Sequence, residues 1–375
     1  MFQKRLYELE QQGLLRDVLS RSSSQGPRIN IKGRLLINFS SNDYLGLSDH
    51  PLLKEAAIEA LKRYGGGSGA SRLLTGGTEL HEMLEEKIAA FKEGPSGLIF
   101  NSGYTANVSC IPCLETQYIF SDELNHASII DGCRLSKAKV YIYRHCDMGH
   151  LEELIHLVPE EGSKLIVTDS VFSMDGDIAP IKDLVDLAER YNALLYIDDA
   201  HATGVLGGGR GSLRHFGIPH RPFIIQMGTF SKALGSFGAY TVSEESIKRW
   251  FVNRARGFIY STALPPSIIA MAYKAIEIIE TEQSLIERLH FNKERLISTF
   301  KKSGLELART ETPIIPVFFK NNEEVLRISE RLFEEGIYAP AIRPPTVKRP
   351  RIRFTVTAAH TIEDIEILER AINKL

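Results

Sequence analysis

Cysteine is scarce in this chain, four in 375 residues. So few thiols in so long a chain exclude a disulfide scaffold, and a reducing, cytoplasmic location is expected. Net charge is nearly absent too, at −2. That predicts no attraction to nucleic acid and none to an anionic membrane surface. Long apolar runs are missing; none reaches the roughly 18 residues that span a bilayer. The opening stretch, MFQKRLYELEQQGLLRDVL, is charged and helical in pattern. It has no apolar core, so it does not read as a secretory signal. The nucleotide fingerprints G-x-x-x-x-G-K-[ST] and G-x-G-x-x-G between a strand and a helix do not occur, and neither does H-E-x-x-H. CIPC (Cys110 to Cys113) has C-x-x-C spacing, but no second pair follows and it lies in an apolar stretch. Buried inert thiols are expected there, and no metal site.

What remains is ordinary globular composition, 43% hydrophobic and 25% charged. A length of 375 suggests two domains. Residues 1–40 read as an N-terminal segment, a helix followed by the hairpin-like INIKGRLLINFS. Residues 41–281 read as a large domain. In it GLIFN, YIFSD, KVYIY, KLIVTDS, ALLYID, FIIQMG and GAYTVS are short apolar runs separated by helical stretches. One such helix is PIKDLVDLAERYN, with Leu184, Leu187 and Ala188 on one face and Pro180 at its first position. The alternation argues an α/β fold built on a mostly parallel, doubly wound sheet. Residues 282–375 read as a smaller α+β domain. PIIPVFF and RIRFTVTAA are its strands, and Thr361 with Asp364 forms a capping box at its last helix.

In an open α/β sheet, ligands bind at the carboxyl ends of the strands. The apolar runs deliver a set of polar groups there. GLIF ends in Asn101-Ser102-Gly103-Tyr104, and YIF runs on to Asn125-His126. LIVTDS continues to Ser173, LLYI ends in Asp198-Asp199-Ala200-His201, and FIIQMG in Thr229-Phe230-Ser231-Lys232. Singly, each has a plain reading: a helix cap, a structural histidine, a solvated lysine. Five strand ends together point to pyridoxal phosphate (PLP) chemistry. A lysine amine can form a Schiff base with the aldehyde. An aspartate can keep the ring nitrogen protonated, so that the ring accepts electrons. A flat imidazole can stack on the ring. The phosphate suits a helix start with small and hydroxyl residues, as in NSGYTAN, with Thr229 and Ser231 opposite.

Seven blocks carry a family resemblance: SNDYLGL, GGGSGASRLLTGG, HASIIDG, VFSMDGD, DDAHATGVLG, TFSKALG and IYSTALPP. In this order, from about residue 40 to the C-terminus, they closely resemble the α-oxoamine synthases. These are PLP enzymes of the aspartate-aminotransferase fold (fold type I), which join an acyl thioester to an amino acid, most members with loss of carbon dioxide. The resemblance implies a seven-stranded sheet in the large domain and a homodimer. It implies that Lys232 is the Schiff-base lysine and the base at the substrate Cα. It makes His126 the ring-stacking histidine, able to hydrogen bond the new carbonyl. Asp198 becomes the ring-nitrogen partner and His201 the donor to the ring hydroxyl. Ser102, Gly103, Tyr104, Ser173 and Thr229 become cofactor contacts, and Thr262 the residue reaching a partner subunit's phosphate. Asn42 and Arg353 become the pair that holds the amino-acid carboxylate, Arg353 through its planar fork.

AIRPPTV, residues 341–347, resembles the 8-amino-7-oxononanoate-forming members most. The short N-terminal segment and lack of a membrane anchor agree with that choice. The implied reaction condenses a pimeloyl thioester, on coenzyme A or acyl carrier protein, with L-alanine in biotin biosynthesis. Thr346 would lie beside the substrate, and Arg16 would contact the acyl group. The alternatives within the fold are a glycine C-acetyltransferase, a serine palmitoyltransferase-like synthase or an aminotransferase. Outside catalysis, the alternative is a non-catalytic partner subunit.

Overall fold

The computed structural model describes residues 1–374 except 13, 16 and 17. Strand β1 (Arg28–Ile31) and strand β2 (Arg34–Asn38) form an antiparallel hairpin turned at Lys32-Gly33, both at positive φ. Seven strands follow, β3 (Ser96–Phe100), β4 (Tyr118–Asp122), β5 (Lys139–Tyr143), β6 (Lys164–Asp169), β7 (Ala193–Asp198), β8 (Ile224–Thr229) and β9 (Ala239–Ser243). They make one sheet in the order β3-β9-β8-β7-β6-β4-β5. β9 runs against both its neighbours, and the pairs among β4 to β8 are parallel. The seven apolar runs of the sequence thus become the seven strands.

The central strands are buried on both faces, as their unbroken apolar runs require. Helices cover the sheet. Ile181–Arg190 buries Ile181, Leu184, Val185, Leu187 and Ala188, a stripe at helical spacing. Each large side chain so removed from water contributes about 1.5–3 kcal/mol. Pro180 stands one position outside that helix, at its N-cap, rather than at its first residue. Gly103–Cys113 carries Cys110 and Cys113, both buried, with burial pushing the Cys113 thiol up to about 12. Among the described residues no helix is long and apolar enough to cross a membrane.

Toward the C-terminus come β10 (Ile314–Phe318), β11 (Ile337–Tyr338), β12 (Ala341–Ile342) and β13 (Arg351–Thr355). β10, β13 and β12 form a small antiparallel sheet backed by Asn322–Glu334 and Ile362–Ile372. The Thr361–Asp364 capping box is present as expected. β11 pairs in parallel with β2, so the N-terminal hairpin shares a sheet with the C-terminal part. The segment after that hairpin, 40–50, therefore lies against β13: the Thr355 N–H donates to the Phe39 carbonyl and the Ala358 N–H to the Tyr44 carbonyl.

Candidate active site

β3, β4, β6, β7 and β8 all point one way, so their carboxyl ends share one edge of the sheet. Strand β8 ends there in Thr229, and the chain turns through Lys232 to Gly235. Gly235 has φ +63°, and a Cβ would sit 2.4 Å from the Ser48 nitrogen, so only glycine lets the turn back onto residues 47 and 48. Lys232 is half-buried. Burial lowers its amine to about 8, the Asp198 and Asp169 carboxylates opposing that fall and Arg353 adding to it.

Asp198, at the end of β7, is 3% exposed. Its Oδ2 accepts from Asn107 Nδ2 at 2.8 Å and its Oδ1 from the Ala200 N–H at 2.9 Å. Asn107 Nδ2 also donates to Ser128 Oγ, 2.9 Å away, and Ser128 Oγ lies 2.7 Å from His126 Nδ1. A polar chain therefore runs from Asp198 through Asn107 and Ser128 to His126. His126 caps the helix Ala127–Leu135, its Nδ1 also accepting from the Ser128 N–H. That leaves the ring proton on Nε2. Burial and then Lys232 hold the imidazole below its usual range, against Asp198. The residue's surface is nonetheless exposed, so the ring has an open side.

Asp169 closes β6 as the register partner of Asp198 and is also buried. Its Oδ2 accepts from the His126 N–H at 2.7 Å. Asp199, next to Asp198, has a different task. It pairs with Lys92 at 2.6 Å, both side chains fully buried. Of the two adjacent aspartates, only Asp198 belongs to the group around Lys232.

His201 and Arg353 meet through a residue that the sequence reading does not single out, Tyr44. The Tyr44 hydroxyl is 2.7 Å from His201 Nδ1 and 3.2 Å from Asn42 Oδ1, and Arg353 Nη2 donates to it at 3.3 Å. Both terminal nitrogens of Arg353 also donate to Asn42 Oδ1 at 3.1 Å, and its Nε donates to the Ser173 carbonyl. Arg353 is 7% exposed, not a surface strand charge. Burial, with the charges of Lys232 and Arg353, keeps His201 neutral, well below its ordinary value.

At the end of β3, Ser102 caps the helix Gly103–Cys113, accepting from the Thr105 N–H at 3.1 Å. The N–H groups of Gly103 and Tyr104 open that helix, and the place of a Cβ on Gly103 has nothing nearer than Met227 Cε at 3.9 Å. Tyr104 is half exposed, its hydroxyl 2.5 Å from Asp131 Oδ2. Thr229 Oγ1 donates to the Gly238 carbonyl at 2.7 Å and lies 2.6 Å from Ser231 Oγ. Thr262 is exposed, its carbonyl taking a bond from Asn101 Nδ2 at 2.9 Å and its backbone bridging Ser71. Thr346 stands in an exposed loop after β12, its N–H donating to the Arg343 carbonyl at 3.1 Å. Arg16 lies outside the described residues. A polar cleft of about 620 Å³, lined by Arg21, Gln25, Asn42, Asp43, Ser231 and others, opens beside the Lys232 turn.

The model of the family "Aminotransferase class I and II" matches residues 34–372. The chain belongs to the aminotransferase class I and II family. Within that family it is an α-oxoamine synthase, a PLP-dependent acyltransferase of fold type I. It is 46% identical over 378 residues to 8-amino-7-oxononanoate synthase from Thermoanaerobacter pseudethanolicus, with 99% of this chain and 95% of that one covered. A serine palmitoyltransferase from S. paucimobilis, solved with bound PLP–myriocin aldimine, superposes with a TM-score of 0.94 at 29% identity, covering 100% and 96% of the two chains. 8-Amino-7-oxononanoate synthase from Francisella tularensis gives 0.77 at 32% identity, covering 90% and 97%.

The residues present fit the family's cofactor. An amine of lowered pKa, a buried carboxylate and an imidazole with an open side converge at one edge, beside an uncrowded helix start. Three contributors went unread in the sequence: Tyr44, Asn107 and Asp169. Asn107 carries a faint signal, since it lies four residues after Gly103 on the helix face that is buried. Asp169 carries one as well, the last residue of an otherwise apolar buried strand.

Proposed function

We propose that this enzyme condenses a pimeloyl thioester with L-alanine, releasing the thiol and carbon dioxide, to give 8-amino-7-oxononanoate for biotin biosynthesis. The carrier of the acyl group is coenzyme A or acyl carrier protein. The names and full-length identity of the relatives support the product. The observation that carries the residue assignment is the hydrogen-bonded run from His201 through Tyr44 to the Asn42–Arg353 pair, with Lys232 near enough for its charge to lower the His201 pKa.

When bound, pyridoxal phosphate supplies an aldehyde that links to amines and a ring that takes up electrons from the adjoining carbon. Asp198, buried and braced by Asn107, pairs with the ring nitrogen. The His126 ring would be the one to stack on the cofactor, and its Nε2–H would be the donor available to the new ketone oxygen. His201 is neutral and 2.7 Å from the Tyr44 hydroxyl at Nδ1; with Tyr44 as the donor there, its Nε2–H would be directed to the ring hydroxyl. The helix start at Ser102, Gly103 and Tyr104, with Thr229 opposite, receives the phosphate. Ser173 completes the cofactor contacts. The Lys232 amine would be the group to bond the aldehyde and the base for the Cα proton; an amine lowered to about 8 suits a base near neutral pH. Arg353 grips the amino-acid carboxylate together with Asn42. Thr346 and Arg16 serve the acyl side. Thr262, which is exposed, reaches the phosphate in a second copy, and the enzyme acts as a homodimer. Its place of action is the cytoplasm.

The test is a panel of acyl thioesters against alanine, glycine and serine, scored by thiol release and product mass. Pimeloyl transfer to alanine is expected. The high structural likeness to serine palmitoyltransferase favours, as a second reading, a long acyl chain with serine, and that product overturns the first. Activity that requires a keto acid and frees no thiol makes the protein an aminotransferase instead.

A further inference from the structure

His145 lies outside the group described above, where β5 has just ended. Its Nδ1 is 3.0 Å from Asp122 Oδ1 and its Nε2 is 2.7 Å from Asp177 Oδ2. A neutral imidazole donates only once, so two carboxylate partners require the doubly protonated cation. Burial alone would pull its pKa down, but the bonds to Asp122 and Asp177 win and hold it at about 12. Phe172 packs edge-on against the ring, centroids 4.4 Å apart. Asp122 is itself fixed, taking bonds from the N–H groups of Leu124 and Cys146 at 2.9 Å.

Asp177 ends a tight turn. Within it the Phe172 N–H donates to the Asp177 carbonyl at 3.1 Å and the Gly176 N–H to the Phe172 carbonyl at 2.8 Å. Gly176 has φ +74°, and a Cβ there would meet the Ile314 carbonyl oxygen at 2.4 Å. The far side of this turn is gripped by the small sheet. Arg351 Nη1 bonds Asp175 Oδ1 at 2.5 Å and the Met174 carbonyl at 2.9 Å. Arg353 Nε donates to the Ser173 carbonyl, and Thr312 Oγ1 to the Gly176 carbonyl at 2.8 Å. The 171–177 turn is thus held by the large sheet through His145 and by the small sheet through two arginines. Arg353 has its Nε committed to the turn and its two terminal nitrogens on Asn42. The turn is thus one anchor of that guanidinium, and Asn42 with Tyr44 is the other.

We propose that His145 is a positioning residue for the amino-acid subsite: clamped between Asp122 and Asp177, it fixes the turn against which Arg353 is braced. The inference rests on the reading of Arg353 as the carboxylate grip. Small displacements of a binding group far from the chemistry carry large kinetic costs.

The test uses the PLP-loaded enzyme and two readouts, steady-state kinetics with the amino acid varied and amide hydrogen exchange of residues 171–177. His145→Gln keeps a donor toward Asp177 but removes the charge. It is expected to raise the amino-acid KM by about tenfold or more, with kcat changed less than about threefold and faster exchange in the turn. Cofactor affinity is expected to stay as it is. An unmoved KM, a loss confined to kcat, or unaltered exchange overturns the proposal. If His145→Gln does not fold, Asp177→Asn, whose side chain is 28% exposed, is measured in its place with the same rise in KM and faster exchange expected. Arg353→Lys is run in parallel. If it leaves the amino-acid KM unmoved, the reading of Arg353 is what fails. If it raises KM while His145→Gln does not, only the clamp fails.

Discussion

Asp169 and Asp198 are register partners on adjacent parallel strands, two buried carboxylates at one edge of the sheet. Two such groups cannot both carry charge cheaply. Burial pushes both upward, and Asp169 rises well above the usual carboxylate range, with the Asp198 charge as its next cause. Asp198 is steadied as an anion by Lys232 and Asn107. Of the two, Asp169 is therefore the carboxyl more readily protonated and Asp198 the one better held as an anion.

Asparagine should then be tolerated at 169 and not at 198. Asp169→Asn should keep Cα proton exchange of the amino acid within about tenfold of the parent, and Asp198→Asn should lose about a hundredfold or more. Deuterium wash-in followed by NMR measures both. Equal losses would show that the two carboxylates share the charge.

The amine of Lys232 sets a pH dependence with a defined sign. Its pKa lies at about 8, down from 10.5, so the neutral, nucleophilic form prevails above about 8. The rate at which apoprotein takes up PLP should rise with pH through that value and then level off. Asp198 raises this pKa, so Asp198→Asn should move the midpoint lower. A midpoint that stays or climbs contradicts the arrangement. Lys232→Ala should bind cofactor without the bond that borohydride fixes.

Replacing Arg353 by lysine keeps the charge and discards the fork. A charge-assisted hydrogen bond contributes about 1.5–3 kcal/mol, so the amino-acid KM should rise about tenfold to a hundredfold. The acyl thioester KM, measured at saturating amino acid, should stay near its parent value.

Lys92 and Asp199 give a prediction about stability rather than chemistry. Both side chains are wholly buried and 2.6 Å apart, and the Asp199 carboxyl stays below its usual range because Lys92, despite burial, holds it ionised. Lys92→Met strands that carboxylate, which should cost about 3–5 kcal/mol in denaturant unfolding. A group with a depressed folded pKa stabilises above its unfolded value and stops doing so as pH falls through the folded one. The parent should therefore lose stability in acid more steeply than the variant.

The sheet was readable because its strands are buried on both faces and so appear as unbroken apolar runs, from GLIFN to GAYTVS. Strand order was not, since nothing local in YIFSD or KVYIY says that β4 lies between β5 and β6. The residues at the strand ends were readable as a set, because parallel strands must share a carboxyl edge. Their individual duties were harder. Asp198 and Asp199 are adjacent and look alike, and only the fold brings Lys92 to the second. Tyr44 and Asp169 act through partners distant along the chain, such as His201 and Arg353 for Tyr44, and no spacing rule reaches that far.

The hydrogen bonds between Arg353 and Asn42 close a loop of 311 positions in the sequence. One half of this pair is translated almost first and the other almost last. A ribosome must therefore finish nearly the whole polypeptide before the pair can form. A chain truncated ahead of β13 would keep Asn42 and lose the guanidinium that meets it.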